Sequence, residues 1–125
     1  MKVRSLLVAA ALSLSACRLS WHDTNVGAGV TLQPHQHATL RVHTASGRLA
    51  VGLRGEGPGG MTWEARRTDG SVVAAGALGE GDYASCRTSD RELTFAFATG
   101  DVASTVAYEA WGETGLALDL QIDSD

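Results

Sequence analysis

The sequence is short of several things that familiar functions need. It contains two cysteines and two prolines, and no apolar run approaches the roughly 20 residues of a membrane-spanning helix. So few cysteines exclude a disulfide-stapled scaffold. Basic residues number 10 against 14 acidic ones, a formal net charge of −4, which leaves no basic face for nucleic acid. At 125 residues the chain has room for one domain and excludes a multidomain enzyme. No serine elbow, paired-carboxylate signature or calcium-loop pattern occurs. Nor is there a helical apolar stripe of useful length after Cys17. What is present is 44% hydrophobic residues in a regular period, which excludes a disordered chain.

The N-terminus reads as an address. Lys2 and Arg4 give a positive start, followed by an apolar core from Leu6 to Leu14 interrupted only by Ser13. That is the pattern of a cleaved export signal over residues 1–16. Leu14-Ser15-Ala16-Cys17 then resembles the lipobox of bacterial lipoproteins. The order has a chemical reason: the Cys17 thiol is the nucleophile that accepts a diacylglyceryl group as a thioether, and small Ser15 and Ala16 let a peptidase reach the bond before it. The resemblance implies that Cys17 is the lipid-attachment residue and that its freed amine is N-acylated, with palmitate as the usual label for such chains. Cleavage after Ser15 by the ordinary signal peptidase is the competing reading, in which Cys17 stays a plain thiol. A cut after Ala16 suits that enzyme poorly, because Leu14 is large at the third position back.

Removing residues 1–16 leaves 8 basic and 14 acidic residues, a mature charge of −6. Each buried methylene of an acyl chain contributes about 0.8 kcal/mol, so two or more chains give firm attachment. A charge near an anionic surface matters by about 1 kcal/mol and is screened by salt. The expected partner is therefore the membrane, through the acyl groups on Cys17, with the acidic domain standing off the headgroups. Any envelope protein partner is left unnamed by the sequence. Arg18 stands where enterobacterial lipoproteins kept at the inner membrane have Asp, so the resemblance implies the outer membrane of the cell envelope.

Beyond this signal the period is two. Residues 17–29, polar and ending in Gly27 and Gly29, read as the lipidated N-terminus and tether, and residues 30–125 as the folded domain. Val30 and Leu32 alternate with Thr31 and Gln33 before Pro34. Similar alternation marks Ala38-Leu40-Val42, Leu49-Val51-Leu53, Met61-Trp63-Ala65, Leu93-Phe95-Phe97, Ser104-Val106-Tyr108 and Leu116-Leu118-Leu120-Ile122. Asp69-Gly70 reads as a tight hairpin turn, and Gly79 to Asp82 as a loop. Val72 to Leu78, small and apolar on both faces, reads as an interior strand. Eight to nine short strands predict an all-β chain, a single antiparallel β-sandwich. A mature chain of 109 residues buries roughly two-thirds of its unfolded surface and folds without a disulfide.

Five segments carry a further likeness: Val30-Thr31-Leu32-Gln33-Pro34, Asp69-Gly70-Ser71-Val72-Val73, Gly81-Asp82-Tyr83, Leu93-Thr94-Phe95-Ala96-Phe97 and Ser104-Thr105-Val106-Ala107-Tyr108. Their order over residues 28–111 resembles the small β-sandwich family of GOLD-like and bacterial prepeptidase C-terminal-type domains. Those families tend to place Gly after the first Pro and Asn after the paired aromatics, where this chain has His35 and Ala98. The resemblance implies a binding or accessory module without catalysis.

Five groups of residues invite a chemical reading. Gly55 to Gly60 satisfies G-x-G-x-x-G, but Met61-Thr62-Trp63 continues in strand period where a dinucleotide site needs a helix, so this is a Gly-rich turn. His35 and His37, two apart in strand period, would share a face with Thr39, Arg41 and His43 and could begin a zinc or copper site. Arg41 opposes a cation there, and solvated histidines are the plainer reading. Cys86 has no His or Met close behind it, so it fits neither a copper ligand nor an activated nucleophile and reads as a small buried hydrophobe. Trp21, Trp63 and Trp111 could offer an aromatic platform to sugar rings, yet Trp63 has core parity and Trp111 the opposite parity to Tyr108. Asp119, Asp123 and Asp125 read as the solvated side and end of the last strand.

Together these predict a lipid-anchored, non-catalytic β-sandwich with an interaction or structural role in the cell envelope. No catalytic, cofactor or metal residue is assigned. The alternative is a module that binds glycan, or metal through His35 and His37, on the same anchor. An enzyme ranks behind both.

Overall fold

The structure is a computed structural model that describes residues 24–123. Among the described residues nine strands make up the fold: β1 (Thr24–Leu32), β2 (His37–His43), β3 (Ser46–Gly55), β4 (Met61–Arg66), β5 (Val72–Leu78), β6 (Tyr83–Thr88), β7 (Glu92–Thr99), β8 (Ser104–Thr114) and β9 (Ala117–Asp123). They form two antiparallel sheets, one in the order β1-β8-β3-β6 and the other β5-β4-β7-β2-β9. The sheets pack face to face as a sandwich.

Alternation puts one face of each strand inside. Leu40 pairs with Phe95 across β2 and β7, and Phe95 with Ala65 across β7 and β4, all three fully buried. Around this row Phe95 stacks with Phe97 at 6.3 Å and tilts against Trp63 at the same distance. Offset pairs of this kind add about 0.5–1.5 kcal/mol beyond the area they bury. The opposite sheet supplies Leu49, Val51, Leu53, Val106 and Ala110 to the same core.

The turns follow their residues. Between β4 and β5, Gly70 adopts φ +88°, and the Asp69 carboxylate accepts from both the Ser71 amide (2.9 Å) and hydroxyl (2.6 Å). That is the expected hairpin. The Gly-rich stretch after β3 is a loop leading straight into β4. A Cβ on Gly57 would come within 2.7 Å of the Thr105 backbone nitrogen, so the loop lies against β8 only because Gly57 has none. The Ser104 hydroxyl, buried, donates to the Gly59 carbonyl (2.6 Å) and fixes the loop from the other side.

Two expectations are corrected. Residues 24–29, read as tether, belong to β1, which pairs with β8 from Thr24↔Gly112 to Leu32↔Ser104. Gly27 and Gly29 sit on an edge strand against Glu109 and Ala107, so their missing side chains leave the ladder intact. β5, read as an interior strand, is the edge of its sheet. Ala75, Gly76 and Ala77 are exposed, Val72 is 47% exposed, and only Leu78 is fully buried. Small side chains on both faces record the absence of bulk, and here that reflects exposure.

Candidate functional site

Cys17 and Trp21 lie outside the described residues. Of the other residues singled out, His35 sits in the turn after β1 with φ +57°, while His37 opens β2 on the outer face of its sheet. His35 Nε2 meets Asp101 Oδ1 at 2.9 Å, both side chains largely exposed. His37 stands opposite Ala98 and Asp123 instead. The expected shared face of the two imidazoles is therefore corrected: alternation holds only where both residues are extended, and the left-handed backbone at His35 breaks it. Among the described residues no group of three His, Cys, Asp or Glu side chains is placed to hold a metal ion.

Cys86 is buried on the inner face of β6, in register with Val51. Burial pushes its thiol above the usual range, with only a weaker opposing pull from Arg67. A thiol held protonated is a poor nucleophile. Trp63 is core, 7% exposed, so it offers no sugar platform. A shallow depression of about 360 Å³ runs between His43, Arg67, Asp69, Asp90 and Arg91. Its charges are of both signs, and Arg67 is already paired with Asp90 at 2.8 Å.

Trp111 has a different setting, on the outer face of the β1-β8-β3-β6 sheet. Three rows cross this face. Trp111 lies level with Ala50 and Arg87, Glu109 with Gly27, Gly52 and Ser85, and Ala107 with Gly29, Arg54 and Tyr83. Trp111 on β8 and Tyr83 on β6 are thus diagonal to each other across Gly52. A Cβ on Gly52 would come within 2.7 Å of Tyr83 Oη and 3.6 Å of Trp111 Cζ3. Both aromatics lean over a floor that exists because Gly52 has no side chain. Trp111 is half-buried and Tyr83 is 66% exposed.

Charged groups flank the pair. Burial of the Tyr83 hydroxyl raises its pKa above the usual phenol range, and the Glu109 carboxylate raises it further, while Arg54 and Arg87 pull the other way. Arg54 is held by Glu56 at 2.6 Å. Glu109 and Arg87 make no ion pair with any described residue. The face therefore carries two partly exposed aromatic rings that cover Gly52, flanked by one carboxylate and one guanidinium.

Sequence reasoning reached Trp111 but missed Tyr83, because β6 was not recognised as a strand. The signal was present: Ala84, Cys86 and Thr88 alternate with Tyr83, Ser85 and Arg87. Their modest hydrophobicity hid it, and which strand β6 would border was not legible at all. No protein-family model matches the chain, and no curated protein matches it.

Proposed function

We propose that the chain is a bacterial lipoprotein of the cell envelope, in which acylated Cys17 anchors a non-catalytic β-sandwich that serves as an interaction module. The observation that carries this reading is the joint pattern at the N-terminus: Lys2 and Arg4, the apolar core, then Leu14-Ser15-Ala16-Cys17. The start of β1 at Thr24 adds a dimension. Seven residue steps separate Cys17 from the first strand, and a fully extended chain covers at most ~25 Å in that distance. The sandwich would therefore stand within about one domain diameter of the headgroups. Arg18 supports the outer membrane over the inner one. The non-catalytic part of the proposal is supported by Cys86, the one free thiol among the described residues, being buried.

Palmitate labelling in a bacterial host tests the anchor. The intact chain is expected to take up label and to fractionate with membranes, and Cys17→Ala to do neither. Mass spectrometry of the mature N-terminus is expected to find the diacylglyceryl thioether on Cys17. Recovery of the unsubstituted chain unmodified and free of membranes would overturn the proposal.

A further inference from the structure

The two sheets differ in width, five strands against four, and β9 ends the wider one with β2 on one side and no described strand on the other. Leu118, Leu120 and Ile122 lie level with the buried Val42, Leu40 and Ala38 of β2, so all three point inward. Yet none is fully covered: Leu118 and Leu120 are half-buried and Ile122 is 46% exposed. We propose that β9 pairs antiparallel with β9 of a second copy, about a two-fold axis at Leu120, to make one continuous ten-stranded sheet, five strands from each copy. The inference rests on reading the sandwich as an interaction module, names its partner, and is independent of the lipid.

The backbone gives the direction of the open hydrogen-bonding groups. The Gln36 carbonyl accepts from the Thr99 amide at one end of β2, and the Thr44 amide donates to the Arg91 carbonyl at the other. Even-numbered residues of β2 therefore turn their peptide groups to β7, and odd-numbered ones to β9. Thr39, Arg41 and His43 meet Gln121, Asp119 and Ala117 there. That leaves the amides and carbonyls of Leu118, Leu120 and Ile122 turned to the open edge. The residues whose side chains lack cover are thus the ones that present peptide groups to a further strand.

Charge then selects the register. Pairing centred on Asp119 sets that carboxylate against the partner's Asp119, and pairing centred on Gln121 sets it against the partner's Asp123. Like charges directly opposite are destabilising. Centring on Leu120 sets Asp119 against the partner's Gln121, whose amide can donate to it, and Asp123 against the partner's Ala117. On the inner face Leu120 then meets the partner's Leu120, and Leu118 the partner's Ile122, so the core continues across the joint. The other edges lack this combination. β5 has Ala75, Gly76 and Ala77 exposed, with little side chain to bury, and a bulge breaks its register beside Arg66. Cys86 on β6, and Val30 and Leu32 on β1, are already buried within one copy. β9 has no Pro, bulge or inward charge, the devices that keep an edge single.

The test uses the full chain purified in detergent, with its mass measured by ultracentrifugation after the bound detergent is subtracted. At about 100 μM the expected mass is that of two chains. Ile122→Lys, which sets a charge against the partner's Leu118, is expected to raise the dissociation constant about tenfold or more, and Ile122→Val to keep the pair. Ala75→Lys, on the far edge of the same sheet, is expected to leave the mass unchanged. Circular dichroism and thermal melting check that each variant is folded. Oxidation reads the register. Asp119 and the partner's Gln121 form a non-hydrogen-bonded pair, the closer kind, so Asp119→Cys mixed with Gln121→Cys is expected to form a disulfide faster than either variant alone. Faster linkage within one variant overturns the register. A single-chain mass for the unsubstituted protein at that concentration overturns the inference, as does a pair that folded Ile122→Lys leaves intact. Cys17→Ala is expected to leave the membrane fraction and still form the pair, so the two proposals fail separately.

Discussion

Single residues carry the clearest energetic consequences. Phe95 is fully buried where three strands meet, so Phe95→Ala removes a large side chain from the middle of the core. The expected loss is about 3–5 kcal/mol, read as a lowered denaturant midpoint with unchanged slope. Cys86 makes a prediction about pH. Its thiol is raised above the ordinary value of 9.0 by burial, so between the unfolded and folded pKa values the native state binds the extra proton. Stability is then complete below about pH 9 and falls as pH climbs through the folded value. The Tyr83 and Tyr108 phenols, raised from 10.0 in the same sense, extend the fall to higher pH. Urea titrations from pH 8 to 10 are expected to show the decline beginning with the thiol. Cys86→Ala, although less stable at neutral pH, is expected to lose the first part of that slope. An unchanged slope would mean that the thiol ionises freely in the folded chain.

At the scale of strands, parity was legible and position was not. Leu93-Phe95-Phe97 and Leu49-Val51-Leu53 declare their inner faces because a two-residue period leaves one arrangement that buries them all. β5 declares nothing, since Val-Val-Ala-Ala-Gly-Ala-Leu reads alike for a strand covered on both faces and for a bare edge. The structure makes it an edge, and substitution can check this. Ala75→Lys, at an exposed position level with Glu64, is expected to change stability by no more than about 0.5 kcal/mol. Leu78→Ala, at the one fully buried position of β5, is expected to cost about 2–5 kcal/mol. Chemical denaturation of the two variants measures both. A large loss for Ala75→Lys would place β5 inside a larger assembly. β6 went unread for the reverse reason: its alternation is real, but Tyr83, Ser85 and Arg87 make its outer face look like loop. The pair of Tyr83 with Trp111 depends on β6 bordering β3, a long-range register that no local pattern announces.

For the whole molecule, charge and lipid make different demands on attachment. If residues 1–16 are removed as proposed, a charge of −6 would give the domain no electrostatic reason to stay on an anionic bilayer. Retention would rest on apolar transfer, which salt strengthens or leaves alone. Washing membranes with about 1 M salt, where the screening length is about 3 Å, is therefore expected to leave the chain bound, and detergent to release it. Release by salt alone would point to a peripheral contact in place of acyl chains.

The sequence by itself determined the all-β class, most strand faces and the β4–β5 turn, because alternation and left-handed glycine are local properties of the chain. It also holds the whole of the proposed address in residues 1–17. Only the tertiary structure decided which strands are edges, that His35 and His37 part company, and that Tyr83 and Trp111 converge on Gly52. Those outcomes depend on sheet order and on one backbone angle, and both are settled by contacts between residues far apart in the chain.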